Sequence, residues 1–154
     1  MDLRRIRPHR PERYLTLSGH TTRSVMQSLT PTVIVEAIEP VLPFWVDRLG
    51  FAVTDKVSEG DRLGFVILKN GRIEVMYQTL ESIRNDVPEL ADMPLQGSAL
   101  FVKVGTLEKL DAVDEALSGV DRVVPRRRTF YGADEIIVRD PAGNVVTFAY
   151  FAKS

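Results

Sequence analysis

The sequence predicts an α+β domain in which a strand, a helix and three further strands follow one another twice. Three observations carry this. A β-branched run at Thr32–Val35 leads into a helical pattern that stops at Gly50, two hairpin signals divide the residues after it, and the same succession returns between Ala99 and Phe151. At 154 residues the chain is the size of one domain with a core of its own. Its 44% apolar and 27% charged composition is that of a folded soluble protein, and no apolar run approaches the roughly 20 residues that cross a bilayer. The absence of cysteine excludes disulfides, thiolate metal sites and a cysteine nucleophile, and is compatible with the cytoplasm, the expected location.

Residues 1–27 lack sustained apolar periodicity and are broken by Pro8 and Pro11, so they are expected to form a flexible basic tail before a domain spanning 28–154. Six arginines against Asp2 and Glu12 give this tail a balance of +4 and leave the remainder at −5. The tail is open to three readings: an extension upstream of a start at Met26, an interaction arm, or a targeting segment. A net-negative domain argues against nucleic acid and for a neutral or cationic ligand.

In the first round, Thr32–Val35 reads as a strand because β-branched side chains suit a pleated surface. Pro40 suits a first helical turn, Leu42, Trp45 and Leu49 fall at helical spacing, and Gly50 stands where a left-handed cap is usual. Strands are predicted over 51–56, 63–68 and 72–78, separated by Glu59-Gly60-Asp61 and Asn70-Gly71, the latter a strong hairpin signal. A connector is expected over 81–97. The second round opens with a strand over 99–104. Thr106 then caps a helix whose apolar stripe is Leu107, Leu110, Val113 and Leu117, ending at Gly119. Strands over 120–124, 134–139 and 145–151 complete it.

Two stretches carry a family resemblance: Val41-Leu-Pro-Phe-Trp-Val-Asp-Arg-Leu-Gly-Phe51 and Arg139-Asp-Pro-Ala-Gly-Asn-Val-Val-Thr-Phe148. They resemble the glyoxalase/bleomycin-resistance/dioxygenase (vicinal oxygen chelate) superfamily over about residues 29–151. The resemblance implies two βαβββ modules forming a curved mixed sheet around a cup, and a homodimer that completes the cup. Both motifs also have a physical reading as fold-shaping turns, in which Gly50 ends a helix and Pro141 with Gly143 reverses the chain.

Enzymes of that superfamily hold a divalent metal through His, Gln or Glu, and the equivalent positions here fall near Thr30, Glu74, Ala99 and Thr147. One carboxylate among hydroxyls and an alanine is a poor donor set, and His9 and His20 both lie in the tail, so neither metal nor cofactor is expected. Glu74 is a remnant ligand, a carboxylate that meets a cationic ligand or takes a proton, or a hydrogen-bonded pocket residue, in the last case paired with Lys103. A ligand-lining role is assigned to Thr32, Ile34, Phe65, Glu74, Met76, Phe101, Lys103, Phe130, Tyr131, Thr147 and Tyr150, with core packing as the alternative use of the apolar and aromatic side chains among them. Arg126, Arg127 and Arg128 are read as a solvated face or an anion contact.

Within the superfamily the motifs look most like the bleomycin-binding resistance proteins, metal-free homodimers that sequester a drug in shared grooves. The expected function is therefore a metal-independent small-molecule binding protein. The alternatives are a lyase, isomerase or dioxygenase with displaced ligands or with Glu74 as general base, and a dimeric interaction module without a small ligand.

Overall fold

A computed structural model describes residues 15–17, 20–22 and 26–153 of the chain. Within the segment expected to be a tail, β1 (Leu15–Leu17) and β2 (His20–Thr22) pair antiparallel. The expected flexibility of the rest of that segment, and the reading of His9, lie outside the described residues.

Both βαβββ rounds are present. The first comprises β3 (Thr32–Val35), a helical turn, β4 (Ala52–Glu59), β5 (Arg62–Asn70) and β6 (Ile73–Thr79), arranged β3-β6-β5-β4. The second comprises β7 (Ala99–Lys103), a helix, β8 (Arg122–Arg128), β9 (Ala133–Arg139) and β10 (Val145–Phe151), arranged β7-β10-β9-β8. In each, the first strand runs parallel to the last, as a crossover helix requires, and the rest pair antiparallel. The two four-stranded sheets are not hydrogen-bonded to each other. One face of each packs into a shared core that joins Val33, Trp45, Leu68 and Tyr77 to Leu110, Ile136, Val146 and Phe148.

The first helix differs from its sequence prediction. Instead of an α-helix there is a 3₁₀ turn at Glu39–Val41 followed by a π-helical turn at Pro43–Arg48. Pro43 has no N–H to offer the preceding turn, so the regular ladder cannot start there, and the wider winding takes over. The consequence is that consecutive residues, Phe44 and Trp45, are both buried, while Leu42 and Leu49 are only half-buried. Gly50, at φ +71°, still closes the turn, its N–H donating to the Val46 carbonyl.

The connector also holds an unpredicted helix, α1 (Leu80–Asp86), whose first turn is capped by the Thr79 hydroxyl accepting from the Ser82 N–H. It lies against β5 at Gly64, where a Cβ would stand 2.9 Å from that of Glu59 and 3.2 Å from that of Ser82. The second crossover helix, α2 (Leu107–Ala116), has the predicted Thr106 cap and buries Leu110 and the adjoining Leu117, although Leu107 stays exposed. No helix among the described residues is long and apolar enough to cross a membrane.

A chain of hydrogen bonds ties the halves together. The Trp45 indole N–H donates to the Tyr77 hydroxyl (2.8 Å), which donates to Asp140 Oδ2 (2.6 Å). Asp140 Oδ1 in turn accepts from the N–H groups of Ala142 and Asn144, which folds the Asp-Pro-Ala-Gly-Asn turn around it. Burial and the adjacent Asp140 carboxylate push the Tyr77 hydroxyl far above its ordinary value.

Candidate ligand-binding faces

The face of each sheet turned away from the core is open. In the second half, strand pairing aligns Lys103, Ala149, Glu135 and Arg127 in one row across all four strands. Glu135 is only 1% exposed. Its Oε1 accepts from Arg127 Nε (2.8 Å) with Nη2 at 2.6 Å, and its Oε2 accepts from the Tyr131 hydroxyl (2.6 Å). The buried charge is thereby paired and hydrogen-bonded, and Glu135 in turn raises the proton affinity of both Arg127 and Tyr131.

Around this row lies a run of aromatic rings. Phe101 and Phe151 have centroids 6.4 Å apart, Phe151 and Tyr131 6.2 Å, and Tyr131 and Phe130 5.0 Å. All four are exposed, from 36% at Phe151 to 84% at Phe130. The Lys103 ammonium sits 5.4 Å from the Phe151 centroid, a cation–π contact. Thr147 pairs with Phe101 and lies on this open face.

Tyr150 does not. Strand alternation places it with Val146 and Phe148, and it packs against the core; Phe151 takes the open-face place instead. Naming Thr147 and Tyr150 together conflicts with the two-residue period, and that period was the signal that could have found Phe151. The arginine run is a solvated face at Arg127 and Arg128, and its charges are paired rather than left for an anion: Arg126 pairs with Asp111 (2.7 Å) and Asp114 (3.3 Å), Arg127 with Glu135, and Arg128 with Asp134 (3.2 Å).

In the first half the equivalent row is Ile34, Gln78, Phe65 and Val57. Thr32 and Met76 are neighbours on the same face, with the Thr32 hydroxyl directed at the Met76 sulfur at 3.7 Å. Ile34 is nearly closed off at 9% exposure. At one end of this face, α1 walls a cavity of about 530 Å³ lined by Val57, Glu59, Phe65, Gln78, Ser82, Asn85 and Asp86. Gln78 Nε2 donates to the Ser82 hydroxyl and Asn85 Nδ2 to Glu59 Oε1. Among the described residues neither Glu59 nor Asp86 has a basic partner.

Glu74 stands elsewhere, in a cavity of about 480 Å³ between the halves that Trp45, Phe101 and Lys103 also line. Its Oε1 accepts from the Thr30 hydroxyl at 2.9 Å. The anticipated Glu74–Lys103 ion pair is not formed, because the Lys103 ammonium lies over Phe151. Thr30 and Glu74 thus satisfy each other in one half, while Ala99 and Thr147 stand on the other sheet, and alanine offers no donor. Among the described residues no group of three or more His, Cys, Asp or Glu could hold a metal ion. The residues present do not fit a divalent metal.

No family model matches the sequence, and no curated protein matches it. Solved structures do. A glyoxalase/bleomycin resistance protein/dioxygenase from Nocardioides superposes with a TM-score of 0.67 at 18% identity, over 86% of this chain and 88% of that one. The lactoylglutathione lyase of Agrobacterium tumefaciens gives 0.65 at 17% identity, over 81% and 94%. The bleomycin-binding protein of Streptomyces verticillus, solved with copper(II)-bleomycin, gives 0.57 at 21% identity, over 85% and 100%. At such identities the likeness is one of architecture, and the fold of this chain is that of the glyoxalase/bleomycin resistance/dioxygenase proteins.

Proposed function

We propose that this chain is a metal-independent binding protein for a small molecule with planar and cationic parts, and that its cup is assembled between two copies. The observation that carries this reading is the exposed aromatic run Phe101–Phe151–Tyr131–Phe130. Four exposed rings, two on the sheet and two on the turn between β8 and β9, form a stacking platform that lacks an opposite wall. The open face of the first half has the complementary character: an aromatic side chain, Phe65, beside the carboxylates of Glu59 and Asp86, which have no basic partner among the described residues. Bringing that face of one copy over the platform of another encloses a planar ligand and places its cationic part near the carboxylates.

Sequestration rather than turnover is supported by the titratable groups. Those that depart from ordinary values each answer to a structural partner: Glu39 accepts from the Leu63 N–H, Tyr77 is buried, Arg126 meets Asp111, and Arg127 and Tyr131 meet Glu135. Among the described residues, none of these shifted groups is left as a poised acid or base. Two of the similar structures are bleomycin-binding proteins, and a basic, planar antibiotic is the ligand proposed here. Calorimetric titration with metal-free bleomycin, with and without chelator, tests it. The expected result is saturable binding by a dimer, indifferent to chelator, in a protein holding far less than one equivalent of metal. A stoichiometric metal with turnover, or a monomer by equilibrium sedimentation at micromolar concentration, overturns the reading.

A further inference from the structure

We infer that a cleft on the core side of the second sheet, at the start of α2, is a second ligand site that takes a small carboxylate with an apolar body. The cleft has a volume of about 410 Å³, within the range of small-molecule pockets. Its walls are Leu49, Phe51 and Ile73 from the first half and Val102, Val113 and Phe148 from the second. Phe148 and Phe151 point to opposite faces of β10, so the cleft opens away from the aromatic platform and meets it at Lys103, whose ammonium lies over Phe151.

The polar side chains of the lining are Asn70, Lys103 and Lys109, without a carboxylate. Asn70 is held by the Leu49 and Gly50 carbonyls, and the Lys103 ammonium is engaged over Phe151. Lys109 has no acidic partner among the described residues, and it stands in the first turn of α2. The helix dipole adds positive potential at that end, set against the single carboxylate of Glu108 in the same turn, which does not line the cleft. Thr106 takes up the N–H groups of Lys109 and Leu110, leaving those of Leu107 and Glu108 without an acceptor among the described residues. Gly105, which lines the cleft just before the cap, leaves the approach open, since no atom lies within 4 Å of where its Cβ would be. An apolar trough ending in an unpaired ammonium and a helix start is complementary to an amphipathic anion. A cation would meet only like charge, and a neutral molecule would leave Lys109 unused.

The test is calorimetric titration of the full chain with octanoate, octan-1-ol and octylamine, which share one tail. Octanoate is expected to bind at least tenfold more tightly than octanol, and octylamine more weakly than either. Lys109→Glu, at an exposed position, should weaken octanoate at least tenfold and leave octanol unchanged. Ala112→Trp, also exposed, should fill the cleft and abolish both. Equal affinity for the three probes, absence of saturable octanoate binding, or indifference to both α2 variants overturns the inference.

Discussion

The two halves answer the same geometric problem with opposite chemistry. Across the middle of the first sheet the open-face row is Ile34, Gln78, Phe65 and Val57; in the second it is Lys103, Ala149, Glu135 and Arg127. Strand order and direction are the same, yet one row is neutral and the other holds a buried carboxylate clamped by a guanidinium and a phenol. Strand order therefore does not dictate what a row carries. The helix α1 closes the end of the first row, where Gln78 bonds to Ser82, whereas Tyr131 leans over the second and bonds to Glu135. A charge in the first row would have no such partner.

The sharpest way to break the comparison is to cut the tie between the halves. Asp140→Ala strands the Tyr77 hydroxyl and two backbone N–H groups in the interior, and is expected to cost about 3 kcal/mol in chemical denaturation. A loss no larger than that of a surface change would show that the halves do not depend on it. Burial of the Tyr77 hydroxyl, together with the Asp140 carboxylate beside it, also makes stability sensitive to alkali. Tyr77 keeps its proton in the folded state and loses it near pH 10 when unfolded, so its contribution is complete below that pH and falls above it, by up to about 1.4 kcal/mol per pH unit. Tyr77→Phe should flatten this alkaline slope.

Ligand affinity separates the faces next. Phe151→Ala should weaken the planar ligand about tenfold with little effect on folding, because the ring is partly exposed. Phe65→Ala should weaken it less, since Phe65 supplies the wall beside the carboxylates rather than the platform. The smallest contrast is between equivalent row ends. Val57→Ala should change stability by no more than about 0.5 kcal/mol. Arg127→Ala should lower the denaturation midpoint by more, because it leaves Glu135 buried with Tyr131 alone. Equal midpoints would mean that the charged row is no more than the neutral one in another form.

Regular alternation and capping made most of the fold legible. Thr32–Val35 and Val145–Phe151 lie where their β-branched and apolar residues place them, and Thr106 starts α2 as its hydroxyl predicts. The π-helical turn was hidden because helical spacing alone does not register what Pro43 does to the ladder. The helix α1 was hidden because it buries only Ser82 and Ile83, too few for an apolar stripe. The site was less legible. Phe101, Phe130, Tyr131 and Thr147 stand on or beside the aromatic platform, but the Glu135–Arg127 pair was missed. Irregular register between Val124 and Arg127 shifts the parity of the arginine run, so counting along the strand does not show which arginine faces the carboxylate.

The shared core has a last consequence. Asp92, Met93, Pro94, Leu95, Gln96 and Gly97, which link the halves, are exposed, while the residues that bind one half to the other are buried. The link therefore acts as a tether that raises the effective concentration of each half for the other rather than as part of what they recognise. Severing it between Asp92 and Met93 should yield two polypeptides that stay associated through gel filtration and find each other again after denaturation, more slowly as they are diluted. Seen this way, the chain is a heterodimer of half-domains that travels on one strand of polypeptide.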